Sequence, residues 1–283
     1  MSNQDGSNEI FFSDHTYSSN RPNSLYKLHL LVGENKVHIN PILDLLEIKP
    51  NSKRVLVLEA GSGHGACVDL MSSKGYTVVG ADISNSRVKK SHRVYNESSG
   101  YYNQNASVIT SDLTRAPFKQ EAFHICFCSF FLHHFVDIKH IIYELSNSIK
   151  NRGEFLIYEP NGLNILYKLT EFVKKITPRN WMMQQGINTL NETIHPPKLY
   201  VTALKIQGFE KIKLTFYNSP EQECQLNGKV VKTFLNAFGL PKGILMLCRF
   251  LILKTVSKLP QKHLSCGNLV IHGRKQFCRD LKS

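Results

Sequence analysis

Three glycines fall within five residues in Glu59-Ala60-Gly61-Ser62-Gly63-His64-Gly65, between an aliphatic run, Arg54 to Leu58, and a helical pattern near residues 64–74. Strand, glycine-dense turn and helix start make a place where missing Cβ atoms let backbone approach a ligand and unbonded amides point at it. Carboxylates stand beside it: Glu59 at the end of the first run, Asp82 closing a second, Thr77 to Ala81, and Asp112 just past a third, Ser107 to Thr110. Asp82 can accept from both hydroxyls of a ribose, and Asp112 from an exocyclic amine such as adenine N6. Gly61, Gly63 and Ala66 also fit the dinucleotide fingerprint G-x-G-x-x-G/A, with Asp82 following 21 residues after Gly61. A nicotinamide dinucleotide, and with it an NAD(P)-dependent oxidoreductase, therefore stays open at this point. Acids at three strand ends suit a cationic nucleoside better than a pyrophosphate, which Glu59 would repel.

A second set of residues could handle protons. Phe130-Phe131-Leu132-His133-His134-Phe135 follows a fourth run, Ala122 to Cys128; Tyr158 and Glu159-Pro160-Asn161 close a fifth, Gly153 to Tyr158; and His195 precedes Pro196-Pro197. Imidazole titrates near neutrality, which suits general-base work on a hydroxyl or phenol. Each has a plainer reading, His133 as pocket wall, His134 as a cap or packed ring, Glu159 to Asn161 as a turn, and His195 as a loop residue. The seven cysteines include no CxxC, and Cys126 and Cys128 would share one face of a strand, so buried thiols are expected and neither a metal site nor a disulfide.

Short aliphatic runs alternate with helical patterns near 64–74, 84–98 and 137–150. Parallel neighbours need long return connections, and strands covered on both faces read as continuous apolar runs. The expectation is a doubly wound, Rossmann-like α/β fold. Around it lie a Ser- and Asn-rich arm over 1–24, N-terminal helices over 25–52 forming a lid, a core over 53–160, and helical insertions over 161–208 and 218–265. A helix to about Gln207 and strands at Phe209 to Tyr217 and Leu269 to His272 complete the reading. At 283 residues with 42% hydrophobic and 20% charged composition, the chain has length for a sizeable core and is neither disulfide-stapled nor disordered throughout.

The turn, the three acids and the hydrophobic-His-His exit together resemble class I S-adenosylmethionine-dependent methyltransferases, in the small-molecule, type 11 or quinone-biosynthesis-like group. The resemblance implies S-adenosylmethionine as cofactor and a mostly parallel seven-stranded sheet whose last strand is antiparallel. It implies that Glu59, Gly61, Ser62, Gly63 and Gly65 line the methionine end, and that Asp82 holds the ribose. Ile83 would pack on the adenine, Asp112 and Leu113 would meet its edge, and Ser129 would border the site at the fourth strand's exit. His133 and His134 become candidate catalytic groups, and Glu159, Asn161 and His195 candidate acceptor contacts. Such enzymes usually open the fourth strand with Phe-Asp; here it reads Phe123-His124, for which a local folding adjustment without lost activity is expected. No Asn-Pro-Pro-Tyr motif follows that strand, which argues against methylation of a nucleic-acid base.

Charge is divided unevenly. Residues 1–149 hold 14 basic and 14 acidic side chains, so the whole net charge of +13 lies in 150–283, and no acid occurs from Cys224 to Arg279. Residues 229–262 are apolar and basic, but Lys242, Arg249 and Lys254 interrupt them before the ~20 residues needed to span a bilayer. The segment reads as a helical cap over the substrate pocket or as a contact with an anionic membrane. The N-terminus lacks a basic stretch followed by an apolar one, so a cytoplasmic protein is expected. The reading is an enzyme that methylates oxygen or carbon of a small or lipophilic acceptor, with nucleic acid disfavoured as partner. A non-catalytic nucleoside-binding scaffold at a membrane surface is its alternative outside enzymology.

Overall fold

The computed structural model describes residues 39–50, 54–97, 105–164, 168, 193–217 and 267–276. In chain order they form β1 (Leu56–Ala60), α1 (Ala66–Ser73), β2 (Thr77–Asp82), α2 (Asn85–Glu97), β3 (Ala106–Thr110) and β4 (Phe123–Ser129). These are followed by α3 (Ile138–Asn147), β5 (Ile149–Pro160), α4 (Pro197–Ile206), β6 (Phe209–Tyr217) and β7 (Asn268–Lys275). Short 3₁₀ turns lie at Leu113–Arg115 and Leu132–His134. One sheet contains all seven strands in the order β3-β2-β1-β4-β5-β7-β6, with β7 antiparallel to both of its neighbours and the other pairs parallel. The expected doubly wound sheet with an antiparallel last strand is what forms.

Period-two alternation sorts the core into two layers. Leu58, Ala60, Cys126, Cys128, Phe155 and Ile157 face α3 and α4, whereas Val57, Ile125, Phe127, Leu156 and Tyr158 face α1 and residues 39–48. Burying each of these larger side chains contributes about 1.5–3 kcal/mol, which commits the register, because a slip of one residue would exchange the layers. Helix ends follow local chemistry. Asp137 accepts from the amides of Lys139 and His140 at the start of α3, Pro197 opens α4, and Gly208 at φ 75° follows its end.

Several boundaries differ from expectation. β1 runs on through Glu59 and Ala60, which pair with Gly80 and Ala81 on one side and Phe127 and Cys128 on the other. A strand laddered on both edges has no reason to stop at Leu58. β5 begins at Ile149, with a register shift opposite Phe123 and Ile125. His124 sits at that shift, and its Nδ1 accepts from the Leu56 amide at 3.0 Å. Burial, and then the Lys150 ammonium, hold its pKa below the usual histidine value, so the ring serves as a neutral acceptor for the first amide of β1. This is the local adjustment expected where the family generally has Asp.

Residues 39–43 are helical. The expected N-terminal arm, most of the lid, and the basic apolar segment over 229–262 lie outside the described residues, as do most of the insertion over 161–208 and all of that over 218–265. Among the described residues no helix is long and apolar enough to cross a membrane, and no cluster of His, Cys, Asp and Glu is arranged to hold a metal.

Candidate active site

The sheet order reverses between β1 and β4, and a cleft outside the carboxyl ends of the strands at such a point is where α/β folds bind ligands. The glycine turn occupies it. Gly61 N and Ser62 N both donate to Ala81 O, at 2.8 and 3.1 Å, and Gly65 N closes the turn on Ser62 O at 2.8 Å. Gly61, Gly63 and Gly65 have φ of 74°, 53° and 78°, values that cost an L-residue about 1–2 kcal/mol. They do different work. A Cβ on Gly61 would run into the Phe131 ring, whereas one on Gly63 would meet nothing within 4 Å. Gly63 is therefore the cradle, and Gly61 the contact that brings the β4 exit over the turn.

The three acids are held in three ways. Asp82 is buried and accepts from Gly63 N through Oδ2 and Ser84 N through Oδ1, at 2.8 and 2.9 Å, so it shapes the cradle it faces. Arg87 Nη1 lies 4.0 Å from its Oδ2. Asp112 is exposed and caps the following 3₁₀ turn, accepting from Thr114 N and Oγ1 through Oδ1. Glu59 lies under α1, with its pKa pushed up to about 8 by burial against the favourable pull of the Cys67 thiol. Its Oε2 and the hydroxyls of Ser62 and Ser111 are buried without a hydrogen-bond partner among the described residues. A buried carboxyl short of a partner is a receptor for an ammonium, and buried hydroxyls at strand ends fit a polar nucleoside. His64, between the second and third glycines, has its pKa lowered to about 4 by burial and by Arg87 and Lys90, so its ring is neutral.

The β4 exit forms the other wall. Phe130 adopts φ 50°, an uncommon conformation for a bulky residue, while its amide donates to Tyr158 O at 2.9 Å. Its ring packs edge-on against Tyr158, with centroids 4.8 Å apart, and Phe131 does the same with Phe135 at 4.9 Å. Glu159 is fully buried; Oε1 accepts from Phe131 N and Leu132 N, and Oε2 lies 2.7 Å from His133 Nδ1. The His134 ring is 4.2 Å from that of His133 and has its pKa lowered to about 3 by burial, then by His133 and Arg87.

The remaining expected residues are distributed around this wall. Ser129 and Ile83 are half-buried at the ends of β4 and β2, and Leu113 has its side chain in the core layer beneath. Glu159, expected as an acceptor contact, has both oxygens engaged by the β4 exit. Asn161 is buried with its Oδ1 on Leu163 N, and His195 Nε2 bonds Phe135 O at 2.7 Å, docking the segment before α4 onto the exit. Sequence reading missed Phe131 as the partner of Gly61, the strain at Phe130, and Arg87. The spacing from β2 to the first turn of α2 was the available signal for Arg87; the others depend on which strands neighbour one another.

Residues 58–157 match the family model for a methyltransferase domain, type 11. The fold is shared with solved structures at low identity. A S-adenosylmethionine-dependent methyltransferase from Archaeoglobus fulgidus is 15% identical with TM-score 0.56, covering 86% of this chain and 94% of that one. A possible histamine N-methyltransferase from Thermotoga maritima is 13% identical with TM-score 0.57, covering 95% and 100%. Geranyl diphosphate C-methyltransferase from Streptomyces coelicolor A3(2), solved with S-adenosyl-L-homocysteine, is 16% identical with TM-score 0.53, covering 85% and 77%. No curated protein matches the chain. The glycine cradle, the carboxyl short of a partner and the matched domain agree: residues 58–157 carry a methyltransferase domain, and the cradle and the carboxyl fit S-adenosylmethionine as its cofactor.

Proposed function

We propose that the enzyme methylates oxygen or carbon of a small or lipophilic acceptor. The observation that carries this reading is the aromatic wall at the β4 exit, where Phe130, Phe131, Phe135 and Tyr158 pack edge to face beside His133 and His134. Such a wall excludes water and binds an apolar body through area, about 25 cal/mol per Å². The geranyl diphosphate C-methyltransferase of the same fold acts on an acceptor of that chemistry. Bound S-adenosylmethionine supplies a methyl on a sulfonium, a good leaving group, so alignment and dryness are most of what the protein provides.

On this reading Gly61, Ser62, Gly63 and Gly65 shape the methionine end with Glu59 taking its ammonium. Asp82 accepts from the ribose while holding Gly63. Ile83, Asp112, Ser129 and the Leu113 backbone frame the adenine side. His133 and His134 handle protons at the acceptor side, with Asn161 and His195 as supports of its wall.

Calorimetric titration with S-adenosylhomocysteine and, separately, NAD tests the cofactor half. Micromolar binding of the former alone is expected, weakened at least tenfold in Asp82→Asn, which keeps the side chain's size. Gly63→Val should abolish binding, because it fills the cradle and strains a backbone at φ 53°; unchanged affinity would sink the assigned site. Methyl transfer from labelled S-adenosylmethionine to prenylated alcohols and phenols then tests the acceptor half. Running it with and without anionic vesicles asks whether the basic segment over 229–262 delivers lipophilic acceptors, in which case vesicles raise turnover.

A further inference from the structure

We propose that the outer edge of β3 pairs with β3 of a second copy of this chain, antiparallel about a twofold axis at Val108, so that one sheet runs through a dimer. β3 and β6 are the two edges of the sheet. An edge strand is a template for further pairing, and proteins guard such strands with charges, bulges or cover. β6 is guarded. Glu210, Lys211 and Lys213 lie on it, its register shifts between Glu210 and Lys213, and Lys211 adopts φ 49°. β3 has none of these devices: it reads Ala-Ser-Val-Ile-Thr, pairs with β2 without a shift, and no charged residue occurs between Glu97 and Asp112.

The ladder to β2 decides which groups are left over. Val78 N donates to Asn105 O at 2.7 Å and Ser111 N to Asp82 O at 2.9 Å, so the odd-numbered residues face β2. Peptide groups alternate in direction along a strand, which turns the N–H and C=O of Ala106, Val108 and Thr110 outward. Among the described residues nothing else pairs with β3. Val108 is buried in the core layer shared with α1, whereas Ser107 and Ile109 point to the other face and are exposed, Ile109 by 38%.

This edge is complementary to itself. With Val108 opposite its counterpart, Ala106 of each copy meets Thr110 of the other, and every outward residue exchanges both of its hydrogen bonds. The same register lays each Ile109 across from Ser107 of the other copy and sets the two isoleucines on a diagonal, about 7–8 Å apart, where they shield one another from water. Charge permits the approach here and opposes it at β6. Residues 1–149 sum to zero, while 150–283, which include β6, hold the whole +13. The edges that remain in the dimer are two guarded β6 strands, so growth stops at two copies. One strand pair is a small interface, which makes the dimer a weak one, with a dissociation constant of roughly 10–100 μM.

Sedimentation equilibrium of the full chain from about 2 to 500 μM should show the mass rising from one chain to two across that range. In hydrogen exchange the amides of Ala106, Val108 and Thr110 should gain protection as concentration rises, and those of Ser107, Ile109 and Ser111 should be protected throughout. Ala106→Pro deletes an outward amide and spares the ladder to β2, and should weaken association at least tenfold. Ile109→Lys should do the same by setting an unpaired charge on the contact. Adding Ser107→Glu to Ile109→Lys places a carboxylate opposite that lysine only in the register centred on Val108, and should return association to within threefold of the wild type. Thermal denaturation confirms that each variant is folded, and the wild-type measurements stand without them.

A chain that stays monomeric at 500 μM would overturn the proposal, and would leave the edge to a strand from a different protein. Outward amides already protected in the monomer would overturn it too, giving the edge to another segment of this chain. A dimer indifferent to Ala106→Pro and Ile109→Lys would place the contact elsewhere, and a double variant no tighter than Ile109→Lys would sink the register at Val108.

Discussion

Strand β5 carries two glutamate–histidine pairs built to one pattern on opposite faces, one midway along it and one at its end. Midway, Glu154 accepts from the amides of Glu47 and Ile48 at 2.9 and 2.8 Å and lies 3.0 Å from His272 Nε2. At its end, Glu159 accepts from two successive amides of the β4 exit and from His133. Each carboxylate is fully buried and holds a turn of chain and one imidazole. The difference lies in which ring nitrogen makes the contact. His272 is bonded through Nε2, and its Nδ1 is sealed in without a partner among the described residues. His133 is bonded through Nδ1 on a loop that borders the cleft. One chemistry thus ties residues 47–48 and β7 to the middle of β5, and the β4 exit to its end beside the glycine turn.

The comparison predicts a double dissociation, and its largest effect is on folding. Glu154→Ala strands two amides and an imidazole, and should cost about 3–5 kcal/mol in denaturant unfolding, as breaking a buried ionic pair does. S-adenosylhomocysteine affinity in the folded fraction should stay within threefold. A loss below about 1 kcal/mol would show that residues 47–48 are held by other contacts. His133→Asn is expected to do the reverse, lowering turnover while the unfolding midpoint moves little.

Acid should separate the pairs next. Burial pushes the Glu154 carboxyl up, yet the hydrogen bonds from His272 and from the Glu47 and Ile48 amides outweigh it, so the net pKa lies below the usual carboxylate value. A lowered folded pKa contributes stability that is present above the unfolded value and lost as pH falls through the folded one. Unfolding free energy should therefore drop below about pH 4.5, and the drop should be blunted in Glu154→Gln. Glu59 has the opposite sign. Its pKa, raised to about 8, favours the protonated form, so its contribution is full below the unfolded value of 4.5 and is lost as pH rises toward 8. Taking up the ligand's ammonium should drive that proton off. Calorimetry in buffers of different ionisation enthalpy should find release approaching one proton at pH 7, and none in Glu59→Gln.

The sequence made the cofactor half far more legible than the acceptor half. Gly61, Gly63, Asp82 and Asp112 are local signals: each belongs to a strand end or turn whose geometry is set within about twenty residues, and the fold puts them at the strand ends and the turn that the alternation of runs and helices predicts. The Glu159–His133 contact joins residues 26 apart in the chain through the adjacency of β4 and β5, and Glu154–His272 joins residues 118 apart. Spacing cannot show such pairs, because sheet order decides them. Glu159 was expected to touch the acceptor; in the fold its Oε1 accepts from two backbone amides and its Oε2 contacts His133. His124 was legible as a departure, but its bond to Leu56 N required the register shift opposite it.

The smallest predicted effect tests whether the Glu154 pair is separate from the site. His272→Gln keeps an N–H donor near the position of Nε2, so Glu154 retains three donors, and it exchanges one buried acceptor atom lacking a partner for another. Stability should change by less than about 1 kcal/mol and turnover not at all, since the site lies beyond the far end of β5. The matching substitution His133→Gln removes the ring that contacts Glu159 at the β4 exit, and turnover should fall as in His133→Asn. If His272→Gln instead slowed turnover while leaving stability intact, the two pairs on β5 would be coupled, and the division between them would have to be abandoned.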